Sequence, residues 1–439
     1  MSRDNAIAAP EAGDLEPPQK AGKPSLYAWY VLAVLVLVYA FNWMDRYIFV
    51  ILMEPLKQEL RLSDTILGLL GGFAFSAMYA TAGIPIARLA DKSARKPVIA
   101  IGLAVWSGMT AACGLAMNAA QMALARVGVG LGEAACSPPS HSMISDYFPR
   151  NTRGFAFAIH GLGLYVGMTA GLMLGGEFNA HFGWRVAFMA LGLPGLALAL
   201  LFMLTVREPP RPADADAHAE HAQGFGAVVR FMATRKSFAA YAVGVGLFSF
   251  AANAVNVWSG VVFMRIHGMS SADAGLWTGG LGGAAGVLGT IVFGLMADRL
   301  GQRNPRWYLW TPSLAIALLV PATAALLFGS TGWVMAGYFL GIACAASCLA
   351  PTIAITQELM PARMRALSSA VLALCLNFIG IGAGNLVVGA LTDALTVQFG
   401  VDALRVSLSV TTLFGAVSGI ALTLYGASRL LEDLRNRPD

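Results

Sequence analysis

The chain alternates between long apolar runs and short polar gaps. The runs cover about 29–53, 66–87, 97–118, 121–145, 154–177 and 184–206, and then 238–264, 273–297, 307–328, 332–356, 366–393 and 404–428. A helix needs about 20 predominantly apolar residues to cross a bilayer, so the pattern predicts twelve transmembrane helices, six on each side of a polar interval. Residues 1–28 are polar and contain Pro10, Pro17, Pro18 and Pro24 with few large apolar side chains. They cannot bury a core and are expected to form a disordered N-terminus. They lack the apolar centre of a signal peptide, so the first run is expected to be an uncleaved span.

The domain pattern follows: a six-helix bundle over 29–206, a linker over 207–237, a second bundle over 238–428 and a tail over 429–439. The linker carries Pro209, Pro210, Pro212, Asp214, Asp216, His218, Glu220 and His221. That composition reads as solvated chain. His218 and His221 have no further ligand nearby in sequence, so no metal site is assigned. From Phe225 to Lys236, Val228, Val229, Phe231 and Met232 alternate with basic residues, which predicts an interfacial helix.

Composition narrows the class. The 439 residues are 57% hydrophobic and only 12% charged, with a mean hydropathy of +0.65. Soluble domains carry about 25% charged residues, so an ordinary soluble enzyme is excluded and an all-α polytopic membrane protein remains. The net charge of +5 has a topogenic reading rather than a nucleic-acid one. With both termini cytoplasmic, 22 of the 29 Lys and Arg residues fall in inside segments, and only Lys57, Arg61, Arg185, Arg265 and Arg405 fall outside. The positive-inside rule then places both termini in the cytoplasm and the chain in the cell membrane. Cys113, Cys136, Cys344, Cys348 and Cys375 all lie in apolar runs without zinc-type spacing, and read as packing residues.

The two halves resemble each other. Asp91-Lys92-Ser93-Ala94-Arg95-Lys96 follows the second run and Asp298-Arg299-Leu300-Gly301-Gln302-Arg303 follows the eighth. Tyr147-Phe148-Pro149 with Arg153 follows the fourth run, and Leu359-Met360-Pro361 with Arg365 follows the tenth. Two parallel six-span repeats suit alternating access around a midplane site. These loops resemble the major facilitator superfamily, whose signature is matched most fully by Gly294, Asp298, Arg299, Gly301 and Arg303. Ala87 and Ala94 stand where the first-half signature usually has Gly, and Arg126, Gly130 and Gly132 resemble a second signature in span four. The resemblance covers about residues 29–428 and implies two six-helix bundles related by a pseudo-two-fold axis.

A narrower resemblance is to the Spinster family of lipid transporters. It rests on Asn42-Trp43-Met44-Asp45-Arg46-Tyr47 in span one. It also rests on Gly132-Glu133-Ala134-Ala135-Cys136-Ser137 in span four, leading to Asp146-Tyr147-Phe148. Pro138 and Pro139 depart from that pattern. Bacterial sugar-acid and organic-anion symporters share the Asp-Arg pair.

The candidate chemistry is ionic. Asp45, Arg46, Arg126 and Glu133 lie deep in spans one and four, at about 2.5–3.5 kcal/mol each on the insertion scale. They are kept either as a structural ion-pair cluster or as a proton-coupling and anion-binding one. At about 1.5 Å per residue, Asp45 lies about 12 Å below the outer surface, Arg126 about 7.5 Å and Glu133 about 18 Å, so the three belong to one cluster. Arg46 is rotated about 100° from Asp45 and should meet other neighbours. Desolvation favours a neutral carboxyl and a nearby Arg favours the ionised one, so moving Arg126 relative to Asp45 or Glu133 would change proton affinity. Being deeper, Glu133 is the expected proton carrier, with Asp45 the permanent partner of an Arg. The second half has no comparable charge, since Asp393 is at a span end.

For substrate contact the candidates are Arg46, Arg126, Tyr47, Tyr165, Asn253, Asn256, Trp258 and Asn377, with Trp43, Phe73 and Phe250 as further aromatic residues and His141 and His160 as a weaker relay. The asparagines could equally bond between helices. A conformational latch is expected at Asp91, Arg95, Arg150, Arg153, Asp298, Arg299 and Arg303. Gly280-Leu281-Gly282-Gly283 lies in an apolar span after no strand, so it reads as helix packing rather than a dinucleotide fingerprint. There is no ATPase-type nucleotide loop, no cofactor and no catalytic residue, and the energy source is a gradient. The Spinster resemblance implies a proton-coupled secondary transporter of an anionic amphiphile such as a lysophospholipid or sphingoid-base phosphate. The alternative is a proton-coupled organic-anion or sugar-acid symporter. Expected partners are this substrate, protons and membrane lipid, with the protein acting as a monomer and binding no nucleic acid.

Overall fold

The computed structural model describes residues 24–210, 225–361 and 364–435, apart from Phe75, Tyr79, Ala80, Ile84 and residues 87–92. Helices make up nearly all of it, and no strand occurs among the described residues. In the first half these are α1 (Leu26–Leu60), α2 (Asp64–Gly83), α3 (Arg95–Cys113), α4 (Ala119–Glu133), α5 (Ser137–Tyr147) and α6 (Arg150–Thr205). The linker contributes α7 (Phe225–Thr234). The second half has α8 (Lys236–Val261), α9 (Ser271–Gly301), α10 (Trp307–Phe328), α11 (Thr331–Ala345), α12 (Leu349–Leu359), α13 (Arg365–Cys375), α14 (Gly384–Phe399) and α15 (Ala403–Arg435).

Among the described residues, eight continuous helical stretches are long and apolar enough to cross a membrane. Two hold two crossings each. At 56 residues α6 is about 84 Å long at ~1.5 Å per residue, far beyond the ~30 Å of a hydrocarbon core. Gly183, at φ 82°, turns the chain within it. Residues Leu367–Arg435 likewise divide near Gly400, at φ 55°. Such φ values are free of strain only without a Cβ. The fourth and tenth crossings are each broken in two, at Ala134–Cys136 and at Ala346–Cys348. With these, twelve crossings are present as the hydrophobic pattern predicts. Pro138 and Pro139 fall in the first turn of α5, where a missing N–H costs little. They start a helix rather than distort one.

Ser25, Ser63, Asn118 and Ser270 each accept a backbone N–H at a helix start. The core is arranged asymmetrically along the membrane normal. On the side remote from the termini, one cluster joins both halves, with Ile48, Phe49 and Leu52 packed in the same core as Trp258, Val261, Phe263 and Tyr338. On the side of the termini the cores are separate: Leu32, Trp106, Met143 and Phe202 in the first half, and Phe238, Tyr241, Leu359 and Met364 in the second. Helix α7 differs from the expected interfacial helix. Its Val228 and Met232 are buried in that second-half cluster, so its apolar face packs on protein.

Candidate functional site

Helix α1 carries Asn42, Asp45, Arg46 and Tyr47 through the middle of the first half, and α4 passes it in the opposite direction with Arg126 and Glu133. Asp45, Arg126 and Glu133 are at most 2% exposed. The close approach of α3 to the α4–α5 break depends on Gly132, where a Cβ would meet the Gly102 carbonyl at 2.8 Å and the Trp106 nitrogen at 2.7 Å. Any larger residue there would push Glu133 away from its partners.

Arg46 and Glu133 form the ion pair of the site. Arg46 Nε donates to Glu133 Oε2 at 2.6 Å, Arg46 Nη2 donates to Asn42 Oδ1 at 3.4 Å, and the guanidinium lies 4.6 Å from the Trp43 ring centre. Arg126 takes a different place. Its Nη1 donates to the backbone carbonyl of Asp45 at 3.3 Å and its guanidinium stacks 4.7 Å from the Phe49 ring centre. The Asp45 carboxyl lies in the field of Arg126 and Glu133 and beside Thr110, yet neither of its oxygens makes a hydrogen bond of ordinary geometry. This reverses the expected pairing. Glu133 is the carboxylate held by an Arg, and Asp45 is the one without a hydrogen-bond partner. Depth alone favoured Glu133 as the lone carboxyl; the 100° rotation of Arg46 brings it to Glu133 and leaves Asp45 facing α3.

The substrate-contact candidates separate. Tyr47 and Asn256 meet at the junction of the halves, with Asn256 Nδ2 donating to Tyr47 Oη at 2.9 Å and Asn256 Oδ1 unpartnered. Trp43 Nε1 is also buried without a partner. Tyr165 bonds Thr290 across the halves at 2.5 Å. Asn253 donates to the Ser249 carbonyl and hydroxyl, and Asn377 to the Ala373 carbonyl, both within their own helices. Trp258 requires a correction: it is fully buried in the core shared by the halves and presents no surface here. Phe73 packs on Phe378 and Phe250 on Phe414. His160 stacks on Tyr39 at 4.5 Å and His141 meets it edge-on at 5.3 Å.

The latch candidates are unequal. Arg95, nearly buried, bonds Asp146, Glu208 (2.8 Å) and the Pro209 carbonyl (3.1 Å), while the Lys96 N–H donates to Glu208 at 2.7 Å. These contacts are internal to the first half and fasten the start of the linker to it. Partial burial opposes ionisation of Glu208, but the bonds from Arg95 and the Lys96 N–H outweigh it and hold its carboxyl below the usual range. Arg153 donates to the Ser145 and Phe148 carbonyls. Arg150, Asp298, Arg299 and Arg303 are exposed. Asp91 lies outside the described residues.

Sequence reasoning missed Asn42, Thr110 and Phe49. The i,i+4 spacing of Asn42 and Arg46 was a usable signal. A threonine in the α3 run and a phenylalanine in the α1 run carry none.

Comparison with known proteins matches the sequence model described as Major Facilitator Superfamily to residues 35–385. An MFS-type efflux pump of Mycolicibacterium smegmatis is 36% identical over 407 residues, spanning 91% of this chain and 93% of that protein. The probable galactarate/D-glucarate transporter GudP of Bacillus subtilis is 25% identical over 70% of this chain and 71% of its own length. Among solved structures, a bacterial homologue of the human lysosomal transporter Spinster, in an inward-facing and unoccupied conformation, superposes with a TM-score of 0.79 at 26% identity. It covers 95% of this chain and 98% of the other.

Proposed function

The chain belongs to the major facilitator superfamily, and we propose that it is a proton-coupled secondary transporter of an anionic amphiphile, such as a lysophospholipid or a sphingoid-base phosphate. Both termini face the cytoplasm in this reading. The observation that carries it is the arrangement of Asp45, Arg46, Arg126 and Glu133: one carboxylate paired with Arg46, and a second, buried, with no hydrogen bond. Proton occupancy of Asp45 depends on how close Arg126 stays, and α1 and α4 belong to a bundle that rocks during alternating access. An anionic group arriving at Arg46 competes with Glu133 for the guanidinium, which links substrate arrival to the charge state of the cluster. The likeness to the Spinster homologue agrees with the sequence resemblance to the Spinster family, from which the amphiphilic substrate is inferred.

A second reading is a proton-coupled sugar-acid or organic-anion symporter. The likeness to the galactarate/D-glucarate transporter favours it, because a sugar diacid would use the same Arg46 and the unpartnered Asn256 Oδ1. Proteoliposome transport of lysophospholipids and of galactarate, each with and without a pH gradient, separates the two. Lysophospholipid movement that responds to the gradient supports the first reading. Galactarate uptake alone supports the second, and movement of either indifferent to the gradient removes proton coupling.

A further inference from the structure

The side of the molecule remote from the termini holds a group of charged side chains with no part in the ion cluster at Asp45. Arg265, in the π-turn that extends α8, donates to Glu54 Oε2 at 2.7 Å and to both oxygens of Asp64 at 2.9 and 3.0 Å. Lys57 Nζ donates to Asp64 Oδ2 at 2.6 Å. Glu54, Lys57 and Asp64 belong to the first half and Arg265 to the second. In the other direction, Asp393 on α14 accepts the Asp64 N–H at 3.0 Å, the Thr65 N–H at 2.8 Å and the Thr65 hydroxyl at 2.6 Å. The first turn of α2 therefore receives a cation on its Asp64 side chain and an anion on its backbone, both from the opposite half.

Close backbone approach on the same side makes these contacts possible. A Cβ on Gly389 would meet the Asp64 carbonyl at 2.1 Å, and one on Gly275 would meet the Leu172 carbonyl at 2.4 Å. Hydrogen bonds and ion pairs joining the halves run from this end to Tyr165–Thr290 near the middle. Separating the halves at this end would strip Arg265 of both carboxylates and Asp393 of all three donors. Among the described residues Arg265 and Asp393 make no side-chain hydrogen bond within their own half, whereas Asp64 keeps Lys57.

We propose that Arg265 and Asp393 form a two-part clasp on the first turn of α2 that holds this side closed, and that both must release for it to open. They are positioning residues for the transport cycle, acting through the balance between the two states rather than by touching the substrate. The clasp operates whatever substrate moves and whether or not protons drive it, so it stands or falls separately from the proposed function.

The test is electron–electron distance measurement on the full-length protein in nanodiscs. One pair of spin labels goes at Met117 and Val397, exposed on the two halves at this side, and a control pair at Asn151 and Gln302 on the side of the termini. Arg265→Ala and Asp393→Ala should each add a longer Met117–Val397 distance and shorten the control distance. The expected rise in the open-to-closed ratio is roughly 5- to 150-fold, the usual span of conformational coupling. Arg265→Lys, which keeps the charge but loses the fork, should fall between. A merely structural role would lower thermal stability and leave both distributions unchanged. Should either alanine variant fail to fold, Asp393→Asn, which keeps the volume, is read the same way. Unchanged distances in folded Arg265→Lys and Asp393→Asn overturn the clasp.

Discussion

The fourth and tenth crossings are built to one plan and carry different chemistry. Helices α4 and α11 have 15 residues each and α5 and α12 have 11 each, at a constant offset of 212 residues. Both breaks end at a cysteine, Cys136 and Cys348. In both, the residue one turn later bonds back to that cysteine's carbonyl, Ser140 at 2.7 Å and Thr352 at 2.5 Å. Yet Tyr338 stands where the first half has Arg126, and Ala345 where it has Glu133. Tyr338 donates to the Thr278 carbonyl at 3.0 Å and needs no counter-ion. The broken helix is thus a property of small residues and proline shared by the halves. The buried charge was placed on only one copy, so the broken helix does not depend on it.

The sharpest way to break this comparison is at the equivalent pair. Arg126→Ala should cost about 3–5 kcal/mol of stability and abolish transport, because Asp45 and Glu133 lose a nearby positive charge in a buried site. Tyr338→Phe should cost only about 1 kcal/mol, the usual worth of one hydrogen bond. Thermal unfolding in detergent measures both, and equal losses would show that the halves carry equivalent loads. Arg126→Lys should rescue only in part, since it lacks the planar fork.

Next in size is the division between the two carboxyls. Asp45→Asn, which keeps the volume, should abolish accumulation driven by a pH gradient. Glu133→Gln leaves Arg46 without the carboxylate that competes with a bound anion, and should weaken folding and slow substrate release. Counterflow, which needs no gradient, separates them: it should survive in Asp45→Asn and fall several-fold in Glu133→Gln. Gradient-driven uptake retained in Asp45→Asn would return the proton to Glu133.

The smallest effect concerns the loops after spans two and eight, where Arg95 is buried among carboxylates and its counterpart Gln302 is exposed. Glu208 is held below its ordinary value of 4.5. A carboxylate depressed in the folded state contributes stability that is present above the unfolded value and lost as pH falls through the lower folded one. Glu208→Gln should therefore cost about 1 kcal/mol at neutral pH, with the difference from the unmodified protein closing as the pH falls below 4.5 and through the lower folded value. A difference that persists there would assign the effect to packing.

Much of this was legible along the chain because a bilayer imposes one rule on every crossing. Each span must be long and apolar, and charges left inside are few enough to name. Twelve runs, the repeat at the loop motifs, and Asp45, Arg46, Arg126 and Glu133 as a single cluster all follow from that. The runs 154–177 and 184–206 already divide the 56-residue α6 at its corner, Gly183; less legible was the break at Ala134–Cys136 inside the single run 121–145. The amphipathic pattern of α7 was also ambiguous, because a protein surface and a membrane surface accept the same apolar face.

What the sequence by itself determined is the number of crossings, the internal repeat and the identity of the buried charges. These depend on composition over local windows, where burial cost acts on each residue independently of its neighbours in space. Only the tertiary structure decided which charge meets which. Arg46 reaches Glu133 and leaves Asp45 without a hydrogen bond because helix rotation, fixed by the close approach at Gly132, aims the side chains. Arg265 and Asp393 meet the first turn of α2 because two halves about 200 residues apart in sequence close against each other on one side. Pairing is a property of distance and direction between separate helices, and neither is written in any one of them.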